Sequence, residues 1–320
     1  MIRMLLAGAL ALASPLTYAA DIEPLVSADW LSDHRSEDDL VVLDIRSSID
    51  NGGDRASFEG AHIPGSIYSS YTEDGWRETR DGVAGLMPPV ASLERLIGGL
   101  GIDNDDTVVI VPAGTGATDF GSAARVYWTF KALSHDDVAI LDGGFAGWKA
   151  AGLEVVSGSA VYGDPVRFNG ELDESLLATT EEVEAARENQ GQLVDARPQD
   201  YFKGDNQSPA AKAPGTIPGA RNLPHQSLLA DDGGAWHLNT AEVSARIQAA
   251  ELDASAKTVS FCNTGHWAAT DWFVLSEIAG FDNVALYDGS MAEWTQDEGR
   301  PLAVAKQGLG KVLDAIGFGD

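Results

Sequence analysis

The sequence predicts an α/β protein made of two similar domains, each a mainly parallel sheet flanked by helices. Three observations predict it. The chain has 320 residues, which at roughly 150 residues per domain is the length of two domains. A set of short motifs occurs twice in the same order, with two of the pairs spaced 151 residues apart. In both copies short buried-type strands alternate with segments whose apolar residues recur at helical spacing, the pattern of parallel βα units.

Taken in chain order, the first twenty residues stand apart. One early charge, Arg3, precedes an apolar run from Met4 to Ala13, then Ser14-Pro15 and small residues. The run is shorter than the roughly 20 residues a membrane span needs, so residues 1–20 read as a secretory signal peptide cleaved after Ala19 or Ala20. The first domain is expected over 21–157. Leu40 to Arg46 reads as a strand ending in Asp44-x-Arg46, followed by Ala61-His62-Ile63-Pro64-Gly65. Helices are expected over 91–99 and 122–132, with strands at Thr107–Val111 and Val138–Leu141. Asp142-Gly143-Gly144 then turns into a helix carrying Trp148. Residues 158–170 read as linker.

The second domain, 171–305, repeats the series. Gln192 to Arg197 ends in Asp195-x-Arg197, Ile217-Pro218-Gly219 answers Ile63-Pro64-Gly65, and Thr258 to Cys262 answers Thr107 to Val111. Helices are expected over 240–250 and 268–279. Tyr287-Asp288-Gly289 leads to Trp294, and Asp142 and Asp288 read as turn caps. Residues 306–320 form a tail. A period of this size is that of a domain and not of a solenoid unit.

Composition excludes several functions. With 21 Lys and Arg against 49 Asp and Glu, the net charge is −28. This opposes binding to nucleic acid or to an anionic membrane surface. The one cysteine, Cys262, leaves no internal disulfide and no cysteine-rich zinc or iron–sulfur site. No metal or organic cofactor is expected.

The informative segment is Phe261-Cys262-Asn263-Thr264-Gly265-His266-Trp267. A buried strand stops at Cys262, a turn permitted by Gly265 follows, and a helix is expected from Trp267 or Ala268. The C-terminal end of a parallel strand is the usual ligand position in such sheets. Loop and helix-start N–H groups around the sulfur would favour a thiolate or hold an anion. A buried core cysteine is the alternative.

These residues together resemble the tandem-domain rhodanese family, the thiosulfate or 3-mercaptopyruvate sulfurtransferases, over almost the whole chain after the leader. Cys262 to Trp267 matches that family's active loop. Asp195 with Arg197, the His62 to Gly65 element and Leu141-Asp142-Gly143-Gly144…Trp148 match its flanking elements. The resemblance implies two rhodanese-like domains, of which only the second is catalytic, since Val111 stands where Cys262 would be. It implies transfer of a sulfane sulfur from a small anionic donor to a thiol, cyanide or a protein sulfur acceptor through a Cys262 persulfide. A persulfide carrier or sensor with little turnover is the alternative. A cysteine phosphatase is disfavoured because Ala268, Ala269 and Thr270 stand where that chemistry wants an arginine.

On this reading Asn263, Thr264 and Gly265 form the loop. His266 is a charge or hydrogen-bond partner of the substrate, Trp267 an aromatic wall, and Arg197, with Asp195, an anion-binding or loop-bracing residue. His62 and Lys212 are candidates at the domain interface. The helix containing Arg125 would support the first sheet. The expected location is the periplasm or outside the cell.

Overall fold

The computed structural model describes residues 22–189 and 191–305. The segments read as leader and tail, 1–20 and 306–320, lie outside the described residues.

Domain one runs β1 (Leu25–Val26), α1 (Ala28–His34), β2 (Leu40–Asp44), α2 (Arg55–Gly60), β3 (Ile67–Tyr68), a hairpin of β4 (Glu78–Arg80) and β5 (Val83–Leu86), α3 (Val90–Gly99), β6 (Thr107–Val111), α4 (Ala117–Ala132), β7 (Val138–Leu141) and α5 (Gly144–Ala150). Domain two runs α6 (Thr180–Glu188), β8 (Gln192–Asp195), α7 (Gln199–Lys203), β9 (Arg221–Asn222), a hairpin of β10 (Leu229–Asp232) and β11 (Ala235–Leu238), α8 (Thr240–Ala249), β12 (Thr258–Phe261), α9 (His266–Phe273), β13 (Val284–Leu286) and α10 (Ser290–Trp294). The main sheets have the orders β1-β7-β6-β2-β3 and β13-β12-β8-β9. Every pairing within them is parallel. Residues 158–170 carry no helix or strand.

The strands read as predicted because they are apolar on both faces, as parallel strands covered by helices must be. Two boundaries move. Helix α4 begins at Ala117, five residues before the expected start. Helix α9 begins at His266 and hands over to a π turn, Val274–Ile278.

The domains pack through α4 and α9. Phe120 meets Phe273 edge-on at 5.9 Å and Tyr127 meets Phe273 at 4.9 Å. Gly121 lets α4 approach, since a Cβ there would stand 3.1 Å from His266 Nε2. One apolar core, with Phe120, Tyr127, Trp272 and Phe273 among its members, runs through both domains. So α4 is an interface helix as well as a support for its own sheet.

The hairpins lock this packing reciprocally. The Leu238 amide at the end of β11 donates to Asp142 Oδ1 (3.0 Å), and the Met87 amide after β5 donates to Asp288 Oδ2 (2.6 Å). Asp142 and Asp288, expected as turn caps, each bind the opposite domain. The arrangement is a pseudo-two-fold version of a self-complementary interface.

The two Asp-x-Arg elements are the same device used twice. Arg197 Nε and Nη2 donate to both carboxylate oxygens of Asp195, and Nη2 also donates to Gly215 O (2.7 Å). Arg46 does the same with Asp44 and Ala61 O. Both pairs are buried. Arg197 therefore staples its strand end to the loop before Ile217, the bracing one of the two roles expected for it, through Nε and Nη2. Arg197→Met leaves the Asp195 carboxylate buried without its cation, and should cost about 3–5 kcal/mol in urea unfolding. A raised KM for the sulfur donor with unchanged stability would instead make Arg197 a ligand.

Candidate active site

Strand β12 ends at Phe261, and Cys262 opens the loop to α9. The loop is held from behind. The Ser290 hydroxyl accepts from the amides of Cys262 (2.9 Å) and Gly265 (3.1 Å) and donates to Tyr287 O (2.7 Å). The carbonyls of Cys262 and Asn263 accept from the amides of Met291 and Ala292. Gly265 is left-handed (φ 69°), and a Cβ on it would stand 2.4 Å from Arg125 Nη1 and 2.6 Å from Asp288 O. No other residue fits there. Arg125, fully buried on α4 of domain one, donates to Gly265 O (3.2 Å) and to Gly85 O (3.0 Å), and pairs with Asp288 at 3.5 Å. With the carbonyls drawn outward, the amides of Asn263, Thr264, His266 and Trp267 donate to no acceptor among the described residues. Two of them belong to the first turn of α9, where orphan N–H groups are inherent.

Cys262 is 1% exposed and contributes to the wall of a cavity of roughly 270 Å³. Asn263, Thr264, His266 and Trp267 line it with Cys262, as the sequence predicted. Tyr201 and Ser208 come from the segment after β8. Ile49, Arg77 and Thr118 come from domain one. These five were not foreseen. The rule that ligands gather at strand C-terminal ends points to the segment after β8 and to Ile49 after β2, but nothing local marks Arg77. It is the one cation lining this cavity among the described residues. It has no carboxylate partner among them and lies over the Tyr71 ring at 4.6 Å.

His266 differs from its expected role. Nε2 lies 2.8 Å from Thr118 O, a carbonyl that can only accept, so Nε2 carries the proton. Nδ1 then accepts from the Tyr71 hydroxyl at 2.7 Å. Both ring nitrogens are thus engaged by domain one. Burial, reinforced by the nearby Arg77 charge, pushes the His266 pKa well below 6.5. His266 is a neutral strut between the domains and not a charge offered to substrate. Burial also raises the Tyr71 pKa, which keeps its hydroxyl a donor.

The remaining predicted residues divide. Trp267 is an aromatic wall, stacked on His225 (4.6 Å) with Tyr201 edge-on at 6.1 Å. Asp195 and Arg197 do not line the cavity. His62 donates through Nδ1 to Phe58 O, stacks on Phe58 and pairs its backbone with Val156, all within domain one. Lys212 is exposed, and its amide bonds Thr295 Oγ1. Neither lines the Cys262 cavity. Among the described residues no cluster of His, Cys, Asp and Glu could hold a metal.

Domain one has a corresponding loop, one residue longer before its helix; Val111 pairs with Asp44 as Phe261 pairs with Asp195, so Pro112, and not Val111 as expected, stands at the place of Cys262. Its amides at Ala113 and Gly114 donate to the carboxylate of Asp119, on the first turn of α4. Gly116 and Gly265 are the matching helix caps, so Ala268 stands where Asp119 would be. The first domain's anion cradle is filled by its own side chain, while the second domain's is open.

Two clasped α/β domains, with one thiol in a loop of open amides at the C-terminal end of a parallel strand, form an arrangement suited to nucleophilic thiol chemistry. The Rhodanese-like domain family profile matches residues 27–151 and 179–297. The chain belongs to this family, as a tandem-domain sulfurtransferase. It is 32% identical over 286 residues to a putative thiosulfate sulfurtransferase of Saccharopolyspora erythraea, covering 88% of this chain and 96% of the relative. It is 34% identical over 286 residues to a probable 3-mercaptopyruvate sulfurtransferase of Pseudomonas aeruginosa, covering 87% and 97%. Its fold matches the crystal structure of a 3-mercaptopyruvate sulfotransferase from Escherichia coli with a TM-score of 0.70 at 24% identity, over 84% of this chain and 99% of that one.

The buried histidines give the interface an acid sensitivity. Burial pushes the His225 pKa down to about 4, so the unfolded chain takes up a proton that the folded one refuses between pH 6.5 and 4. Stability from this residue is complete above pH 6.5 and is lost as pH falls through that window. His225→Gln should remove about 1.5 kcal/mol of the stability lost between pH 6.5 and 5, measured by urea unfolding at both pH values. An equal loss in both proteins would show that His225 does not contribute.

Proposed function

We propose that this sulfurtransferase moves a sulfane sulfur from a small anionic donor, thiosulfate or 3-mercaptopyruvate, to a thiol or cyanide acceptor through a Cys262 persulfide. The observation that carries the reading is the Cys262 thiol in a cradle of unoccupied amides facing a cavity whose one lining cation is Arg77. The Cys262 thiolate attacks the outer sulfur of the donor. The donor's bond to that sulfur breaks, and sulfite, or pyruvate as its enolate, leaves with the electron pair. The open amides stabilise the persulfide anion, and Arg77 receives the donor's sulfonate or carboxylate. An acceptor nucleophile then attacks the outer sulfur and releases Cys262 as thiolate. The names of the relatives support both donors, and a protein-bound thiol would enter by the same route.

Incubation with either donor should add one sulfur, about 32 Da by intact mass, removed again by cyanide or a thiol. Cys262→Ser should show neither adduct nor turnover. Arg77→Gln should raise the donor KM by about tenfold, the loss of one charged hydrogen bond. An adduct without multiple turnover would make the protein a carrier, and no adduct with any donor would overturn the reading.

We also propose export to the periplasm or beyond, on the strength of the leader-like residues 1–20; among the described residues no helix is long and apolar enough to cross a membrane. N-terminal sequencing of the protein from its native source should begin at Ala20 or Asp21. A chain beginning at Met1 would overturn this.

A further inference from the structure

A second cavity, of roughly 470 Å³, adjoins the first and shares Thr118 and Trp267 with it. Its walls come from both domains: Asp50 and Asn51 after β2, and the rings of His225, Trp236 and Trp267 with the amide of Gln226. Asp50 (φ 48°) and Asn51 (φ 57°) are both left-handed. Asp and Asn tolerate this better than other side chains, and consecutive residues so held recur at ligand clamps. Asp50 Oδ2 accepts from the Asp119 amide at 2.9 Å and rests on Gly116, where a Cβ would stand 2.2 Å from it. The carboxylate is therefore fixed in place. Its other oxygen has no partner among the described residues, and no Lys or Arg pairs with it.

The two cavities carry opposite charge. The Cys262 cavity holds Arg77, and its neighbour is lined by Asp50 together with two indoles, with His225 kept neutral by burial. A carboxylate beside indole rings suits a small ammonium group, through charge and through the ring faces. A sulfur donor is an anion and is repelled there.

We propose that this cavity is the acceptor subsite and takes small aminothiols, with the ammonium at Asp50 and Trp236 and the thiolate reaching across Trp267 to Cys262. This rests on the persulfide reading above. The acceptor thiolate attacks the outer sulfur, a new S–S bond forms, the bond from Cys262 to that sulfur breaks, and Cys262 leaves as thiolate. No proton, oxidant or reductant is consumed.

The persulfide protein, prepared with thiosulfate or mercaptopyruvate and freed of excess donor, is discharged in single turnovers by cysteamine or by 2-mercaptoethanol at equal thiolate concentration. Cysteamine should half-saturate at about tenfold lower concentration. In Asp50→Asn, which keeps an oxygen for the Asp119 amide, and in Trp236→Ala the ratio should fall toward one. A ratio of one in the unmodified protein, or one that neither substitution changes, overturns the subsite. Separately, 2-(methylthio)ethylamine, which cannot react, is titrated into Cys262→Ser. It should shift the indole N–H signals of Trp236 and Trp267, and Asp50→Asn should abolish the shift. Failure to load the persulfide with this binding intact would overturn the sulfur-transfer reading and leave the cation site standing. Loading without this binding would overturn the site alone.

Discussion

A guanidinium sealed from water holds the Cys262 loop. Burying a charged group costs several kcal/mol even after the protein relaxes, and burial lowers the Arg125 pKa. Its partners are drawn from three separate places: Gly265 O in the loop, Gly85 O in the domain-one hairpin and Asp288 at the turn into α10. Trp128 lies beneath it at 4.7 Å. Arg125 Nη1 and Nη2 meet all of these partners only when the domains are docked and the loop has its carbonyl turned toward α4, while Nε stays buried without a partner among the described residues. The amides of Asn263, Thr264, His266 and Trp267 donate to no acceptor among the described residues. Gly85 and Gly265 are glycines because Thr264 O and Arg125 approach them too closely for a side chain. Docking and the shape of the active loop are therefore one event.

The pseudo-symmetry shows how one of two equal domains loses its site. Both have a parallel sheet, an Asp–Arg staple and a loop capped by glycine before a helix. In domain one Pro112 stands at the place of Cys262, and Asp119 accepts from the amides of Ala113 and Gly114. Burial pushes Asp119 up to about 7 despite those hydrogen bonds. Its carboxyl is thus poorly placed as a charge but well placed as a plug. Ala268 at the matching position leaves the second cradle empty. Where the two loops correspond, domain two carries the Cys262 sulfur and domain one carries the Asp119 carboxylate.

This distribution explains what could be read from sequence. The sheets, the repeat and the Cys262 loop were legible because each is a local pattern: an apolar strand, a glycine turn, a helix start. Trp267 was legible as a wall because it is in the loop itself. The Asp195–Arg197 element was legible as a motif but not as a staple, since its third partner, Gly215 O, lies 18 residues on. His266 was visible, but its neutrality depends on Tyr71 and Thr118, which only docking brings to it. Arg77 was invisible because nothing near it in sequence marks it. What the sequence hid is supplied by distant parts of the chain: Arg77, Tyr71 and Thr118 from the other domain, and Tyr201, Ser208 and Gly215 O from domain two itself.

The net charge of −28 makes that contribution necessary. Charges farther away than the Debye length, about 8 Å at physiological salt, act weakly through solvent, so the groups at the site and not the overall charge decide how an anion would be received there. Domain two supplies amide dipoles to the cavity and no cation. Domain one supplies Arg77 at the cavity and Arg125 behind the loop. The second domain by itself would keep the Cys262 thiol and lose both the one cation lining its cavity and the Arg125 contact to Gly265 O. On the proposed sulfur-transfer reading, the second domain would therefore need the first for chemistry as well as for packing.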